Sequence, residues 1–193
     1  YETLITVSQL KQVLGNDGIC VVDCRFDLTD LAAGRRDYLE SHISGAVFAD
    51  LHDDLSGPPT TDNGRHPLPS PQQLKRLFGS LGIDDSKQVV AYDASGGMFA
   101  ARLWWMLRNM GHYHVAVLDG GWAHWLAGDG ACRSGEEKNL VAVFTGERRI
   151  DRLVQISEVE QSLNAPSADE RFRLIDARDP KRYRGEVEPI DAY

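Results

Sequence analysis

The chain has 193 residues, 42% apolar and 26% charged, with a net charge of −8. This is the composition of a soluble globular protein, and its acidity argues against non-specific binding to DNA, RNA or an anionic membrane. It has no run of about 18 apolar residues that could form a spanning helix. Three cysteines, Cys20, Cys24 and Cys132, are too few and too odd for a disulfide framework and suit a reducing compartment, so a cytoplasmic protein is expected.

In chain order, Ser8 is read as the cap of a helix with Leu10, Val13 and Leu14 on its inner face. Gly15 to Gly18 end it, and Ile19 to Asp23 form a strand. A polar stretch runs to about Arg36, and Tyr38 to Ala46 lead into a short strand, Ala46 to Phe48. Residues 52–69 hold four prolines, two glycines and two histidines and read as an ordered loop. Ser70-Pro71-Gln72-Gln73 is a strong helix start, followed by apolar Leu74, Leu77, Phe78 and Leu81. Val89 to Tyr92 form a strand, Met98 to Asn109 a helix, Val115 to Leu118 a strand and Trp122 to Ala127 a helix. Continuous apolar strands alternating with amphipathic helices indicate an α/β protein, a parallel sheet with helices on both faces.

The chain also repeats itself. Val7-Ser8-Gln9-Leu10 and Val21-Val22-Asp23-Cys24-Arg25 return as Ile156-Ser157-Glu158-Val159 and Leu174-Ile175-Asp176-Ala177-Arg178. Self-similarity at one long spacing signals a duplicated domain. Residues 1–132 are read as the complete copy, 133–152 as a linker without clear period, and 153–193 as the beginning of a second copy. That second copy stops at Tyr193, soon after its first strand. It is expected not to pack as an independent domain, because so short a stub buries too little apolar surface to offset its chain entropy.

Ligands in open parallel sheets bind beyond the carboxyl ends of the strands. Asp93-Ala94-Ser95-Gly96-Gly97 sits there, between a strand and a helix start. Consecutive backbone N–H groups in such a loop cradle an anion and would hold a cysteine at its head as thiolate. Here the head is Asp93, a carboxylate that repels anions and is a poor nucleophile toward sulfur. The loop carries neither Gly-x-Gly-x-x-Gly nor Gly-Lys-Ser/Thr. It reads either as a cysteine loop with its nucleophile replaced or as a tight turn.

Four segments together resemble the two-domain rhodaneses, the thiosulfate and 3-mercaptopyruvate sulfurtransferases. They are Tyr38 to Ala46 with His42-Ile43-Ser44-Gly45, Val90 to Arg108, Val117 to Trp122, and Asp176-Ala177-Arg178 with Arg182-Tyr183-Arg184-Gly185. The resemblance implies a rhodanese-like domain in tandem with a truncated second copy. It also implies a catalytic cysteine in the second copy, near residue ~246 at the repeat spacing, with Asp93 marking the inactive copy. The full protein would then pass the outer sulfur of thiosulfate through a cysteine persulfide to cyanide or a thiol. No cofactor and no metal are expected, and the 193 residues alone should be inactive and packed against the missing part of the C-terminal domain.

By the same resemblance Arg182 faces the donor anion and Asp176 pairs with a basic loop residue, while Phe26, Met98 and Phe99 are apolar positions presented across the cleft. Glu188-Pro189 is followed by Ile190, where mercaptopyruvate-using members place an arginine, which favours thiosulfate. The alternatives are 3-mercaptopyruvate as donor, or a non-catalytic binding or regulatory module. His42 reads as ordering its turn, and His52, His66 and His124 belong to no evident constellation.

Overall fold

The computed structural model describes residues 1–61, 63–163 and 173–189. The chain divides into two compact units, Tyr1–Ile150 and Asp151–Tyr193. The first is built on five strands: β1 (Leu4–Ile5), β2 (Ile19–Asp23), β4 (Val47–Phe48), β5 (Gln88–Tyr92) and β6 (Val115–Leu118). Their order is β1-β6-β5-β2-β4, and every pairing is parallel. Two short strands, β3 (His42–Ile43) and β7 (Cys132–Arg133), pair antiparallel beside it.

Alternate residues of the central strands enter opposite cores. Val22, Val89, Ala91 and Val115 pack with Leu74 and Phe78 of α3 (Pro71–Ser80) and Leu103, Met106 and Leu107 of α4 (Ala100–Asn109). Val21, Val90, Tyr92 and Ala116 pack with Leu10 of α1 (Val7–Val13) and Trp125 of α5 (Gly121–Ala127). Both faces are covered, which is why these strands read as unbroken apolar runs.

The start of α3 is as the sequence implies: Ser70 and Gln73 form a reciprocal capping box, with Pro71 in the first turn. The start of α1 is not. Thr6, not Ser8, is the cap, because Gln9 at the third helical position returns a bond to the Thr6 backbone while Thr6 accepts from the Gln9 N–H. Helix α2 (Ala33–Glu40) begins inside what read as irregular polar chain and runs on into the segment holding Tyr38. It has no side-chain cap and is anchored by tertiary contacts, chiefly the fully buried Tyr38.

Residues 133–150, read as linker, lie against the first unit. Asn139 donates to the Leu81 carbonyl at 2.8 Å, the Ala142 N–H to Gly79 at 2.9 Å, and Phe144 meets Phe78 edge-on at 5.0 Å. One buried aromatic, worth about 1.5–3 kcal/mol, together with these bonds fixes a strap whose sequence has no period.

The second unit contains a 3₁₀ turn (Ile150–Arg152) at its boundary, α6 (Ile156–Leu163) and α7 (Pro180–Tyr183). At the start of α6 the Gln155 N–H donates to Glu158, and Ser157 lies inside the helix. The strand expected at Leu174–Ile175 is not formed: both residues are more than half exposed, and the described residues offer them no strand to pair with. No described residue of this unit is buried. Ile190 lies outside the described residues.

Candidate functional site

The carboxyl ends of β2 and β5 lie side by side, with Asp23 in register with Tyr92. The chain leaves β5 at Asp93, turns through Gly96 and Gly97 at φ of 71° and 89°, and enters α4 at Ala100. The Asp93 side chain is turned inward and is 1% exposed. Its Oδ1 accepts the N–H groups of Ser95 (2.8 Å) and Gly97 (2.9 Å), and its Oδ2 those of Phe99 (2.8 Å) and Ala100 (2.9 Å). The anion cradle inferred from the sequence therefore exists, and the loop's own head residue fills it. Charge-assisted bonds of this kind are strong and leave no donor of the four for an outside anion.

Gly121 supports the loop from below. Its φ is 55°, and a Cβ there would stand 2.3 Å from the Asp93 carbonyl oxygen, which accepts the Trp122 N–H at 2.8 Å. The Gly-Gly-Trp start of α5 is thus the floor of the Asp93 turn.

Beside the loop, Asp23 and Arg25 form a closed chelate. The Arg25 backbone N–H reaches Oδ1 at 2.9 Å, Nε reaches Oδ2 at 2.9 Å, and Nη2 reaches Oδ2 at 2.6 Å. The Tyr92 hydroxyl donates to Asp23 at 2.6 Å, Arg25 Nη2 donates to the Ser41 carbonyl at 2.6 Å, and the guanidinium lies 4.5 Å from the Trp122 ring. Burial works against the Arg25 charge, but the bonds and charge of Asp23 outweigh it and hold the group above its ordinary value. Asp176 and Arg178 repeat the chelate in the second unit, with contacts of 2.9, 2.9 and 2.6 Å. There the Arg178 bonds pull the Asp176 carboxyl down to about 2.

The named apolar positions are placed differently from one another. Phe26 and Phe99 are core residues, 6% and 5% exposed, with rings edge-to-face at 5.5 Å. Met98 is 62% exposed at the mouth of the loop. Arg182 donates to Glu188 through Nε and Nη2, at 2.8 to 3.1 Å.

None of the three cysteines of the first unit heads the Asp93 loop, and Cys20 and Cys24 are buried. Burial pushes the Cys20 thiol up to about 12, and burial followed by the charges of Asp23, Asp93 and Asp54 pushes Cys24 well above the ordinary range. Cys132 is exposed on β7, away from any loop head.

One grouping escaped the sequence reading. His52 and His66 meet edge-on at 6.0 Å, and Phe26 stands 6.2 Å from His66. Asp50 caps the turn below His52, accepting its N–H at 2.7 Å. Arg102 of α4 pins the loop by donating to the carbonyls of Leu55 (3.0 Å), His66 (2.9 Å) and Pro67 (3.2 Å). Burial, and then the nearby Arg65 and Arg102, lower His66 below its ordinary value. Thirteen residues of Pro-containing chain separate the two histidines, so no spacing rule pairs them; the Arg102 anchor and the Gly57 N–H, which donates to the Pro67 carbonyl at 2.9 Å, fold the loop back. A cavity of about 520 Å³ opens next to His52, between Arg35, Phe48 and Asp54. A larger one, about 770 Å³, lies at the other end of β2, between Asn16, Lys87 and Asn139, and does not touch the Asp93 loop.

Comparison with known proteins gives the family and fold of the chain. The family pattern for the rhodanese-like domain matches residues 6–128. A Pseudomonas aeruginosa protein named "Probable 3-mercaptopyruvate sulfurtransferase" is 42% identical over 190 residues, covering 97% of this chain and 66% of its own length. A thiosulfate sulfurtransferase of Cricetulus griseus is 32% identical over 196 residues, covering 98% of this chain and 64% of its own. The solved structure of 3-mercaptopyruvate sulfurtransferase from Leishmania major superposes with a TM-score of 0.79 at 26% identity, over 95% of this chain and 48% of that one. The chain spans just under two thirds of the length of the two curated relatives.

Proposed function

This chain belongs to the rhodanese-like domain family, and on that premise we propose that the whole protein is a sulfurtransferase whose nucleophile is a cysteine in the second copy, beyond Tyr193. The α/β fold, a parallel sheet with helices on both faces, is the family's. The observation that carries the proposal is the Asp93 loop. Four backbone N–H groups converge on the side chain at its head, a geometry that stabilises a negative charge there. Aspartate uses that geometry to close the first copy; a cysteine at the same place in the second copy would be held as thiolate.

The thiolate attacks the outer sulfur of thiosulfate, the S–S bond breaks, and sulfite leaves with its electron pair. A persulfide remains, and cyanide or a thiol removes the outer sulfur and restores the thiolate. Arg182 provides the positive charge facing the donor, and the Asp176–Arg178 chelate orders the chain at residues 176–178. Of the apolar positions, Met98 is the one that the first copy offers to the remainder of the second domain, because Phe26 and Phe99 are committed to its core.

Ile190 after Glu188-Pro189 supports thiosulfate as donor. The 42% identical relative, whose name specifies 3-mercaptopyruvate, supports a second reading in which the thiolate takes the thiol sulfur, the C–S bond breaks with its electron pair on carbon, and the departing enolate takes up a proton to become pyruvate. The test is mass spectrometry of the full-length protein after exposure to each donor, paired with thiocyanate formation from cyanide. Gain of one sulfur atom on a loop-head cysteine of the second copy is expected. No persulfide with either donor, or turnover by the 193-residue chain alone, would overturn the proposal.

A further inference from the structure

The second unit carries a charge arrangement that the first copy lacks. Arg182 of α7 presents its Nε–Nη2 edge to Glu188: Nε reaches Oε2 at 3.1 Å, and Nη2 reaches Oε1 at 2.8 Å and Oε2 at 2.9 Å. Both side chains are largely covered, 15% and 13% exposed, in a unit whose other described ion pairs are more open. Arg178 Nη1 lies 4.0 Å from Glu188 Oε2 while the same guanidinium chelates Asp176. Along these described contacts Asp176, Arg178, Glu188 and Arg182 alternate in sign. At the repeat spacing, the first copy has Thr29 and Arg35 in place of Arg182 and Glu188. Thr29 bonds Asp27, and Arg35 pairs with Glu136, so no equivalent fork exists there.

The geometry points to Glu188 as a specificity-determining residue: we infer that its carboxylate, fixed on Arg182, disfavours doubly charged sulfur donors relative to singly charged ones and so opposes the thiosulfate preference that Ile190 supports. The inference rests on the sulfurtransferase reading and on Arg182 facing the donor. An anion approaching Arg182 also meets the Glu188 carboxylate at close range. It gains hydrogen bonds from the guanidinium, but its own charge is repelled by Glu188 in proportion to its magnitude. At neutral pH 3-mercaptopyruvate carries one negative charge, on its carboxylate, and thiosulfate carries two. The same carboxylate therefore penalises thiosulfate about twice as strongly.

The experiment uses the full-length protein and its Glu188→Gln and Glu188→Asp variants, with kcat/KM measured for both donors against one common acceptor. Glutamine keeps the shape and one carbonyl acceptor for Arg182 and removes the charge. The ratio of the two kcat/KM values is unaffected by any loss of folded protein, because that loss cancels. In E188Q the ratio should move toward thiosulfate by about threefold or more, the effect of one extra unit charge across a guanidinium with water-like screening. In E188D it should stay near the unsubstituted value, and added salt should narrow the difference. A ratio unchanged in E188Q, or moved toward mercaptopyruvate, overturns the inference. So does an E188Q protein inactive with both donors while E188D is active, which marks a positioning role. An unsubstituted protein that uses neither donor overturns the sulfurtransferase reading together with it.

Discussion

Asp23–Arg25 and Asp176–Arg178 make the same chelate with corresponding bonds within 0.1 Å, yet they are different objects energetically. In the first unit the side chains of the acid and base are 0% and 6% exposed, roofed by Tyr92, Ser41 and Trp122. In the second they are 27% and 45% exposed. The difference shows what three residues encode by themselves. Asp-x-Arg closes its ring locally, after a strand in the first unit and without one in the second, and only the surrounding fold turns the ring into a buried structural element.

The sharpest way to break the comparison is to remove the base from each. Arg25→Ala removes the cation paired with the buried Asp23 and should cost about 3–5 kcal/mol in denaturant unfolding. Arg178→Ala should leave the transition of the first unit where it was. Equal losses would mean that burial is not what separates the two chelates. Next in size is Gly121→Ala, whose Cβ would press on the Asp93 carbonyl at a positive φ. A loss of about 2–3 kcal/mol is expected from strain and displacement of the turn, read as a lowered melting temperature.

Proton linkage should separate the two regions by sign. In the first unit burial raises the Cys20 thiol from 9.0 to about 12 and also raises Cys24 and Tyr92. Their protonated forms are favoured by the fold, so this stability is complete below 9.0 and is lost as pH rises through the Cys20 value. The Asp176 carboxyl is lowered from 3.8 to about 2, so its smaller contribution is present above 3.8 and is lost as pH falls through about 2. Urea midpoints measured on the alkaline side should fall, and Cys20→Ala should flatten part of that fall. A midpoint flat across the alkaline range would contradict the buried placement of these groups.

Much of this was legible beforehand. The strands β2 and β6 were read at their observed limits, because each is an unbroken apolar run, and Ser70-Pro71-x-Gln73 announced the start of α3. The cap of α1 was misplaced by two residues because Ser8 is a good cap in isolation, whereas Thr6 wins through its reciprocal bond with Gln9. Helix α2 and the strap at 133–150 were hidden for one reason: each is held by a few tertiary anchors, Tyr38 in one case and Asn139 and Phe144 in the other, and neither has a periodic face. At the site, the sequence located the cradle and its aspartate but read Asp93 only as a repelling charge. That the carboxylate turns inward and consumes the donors could not be inferred from residue type. The loop that brings His52 to His66 is held by Arg102 bonding three backbone carbonyls and by the Gly57 N–H on Pro67, contacts that leave no trace in spacing or composition.

The central claim is that Asp93 serves as the first copy's own bound anion. Its most direct test is thermal unfolding of Asp93→Ala with and without formate, a detached carboxylate small enough for the vacated space. Without formate the variant should lose about 3 kcal/mol or more, since two of the four stranded N–H groups are buried. Formate should restore stability saturably, beyond the effect of chloride at equal ionic strength, and should leave the unsubstituted protein unmoved. A variant as stable as the unsubstituted protein, or one that formate and chloride affect alike, would contradict the claim.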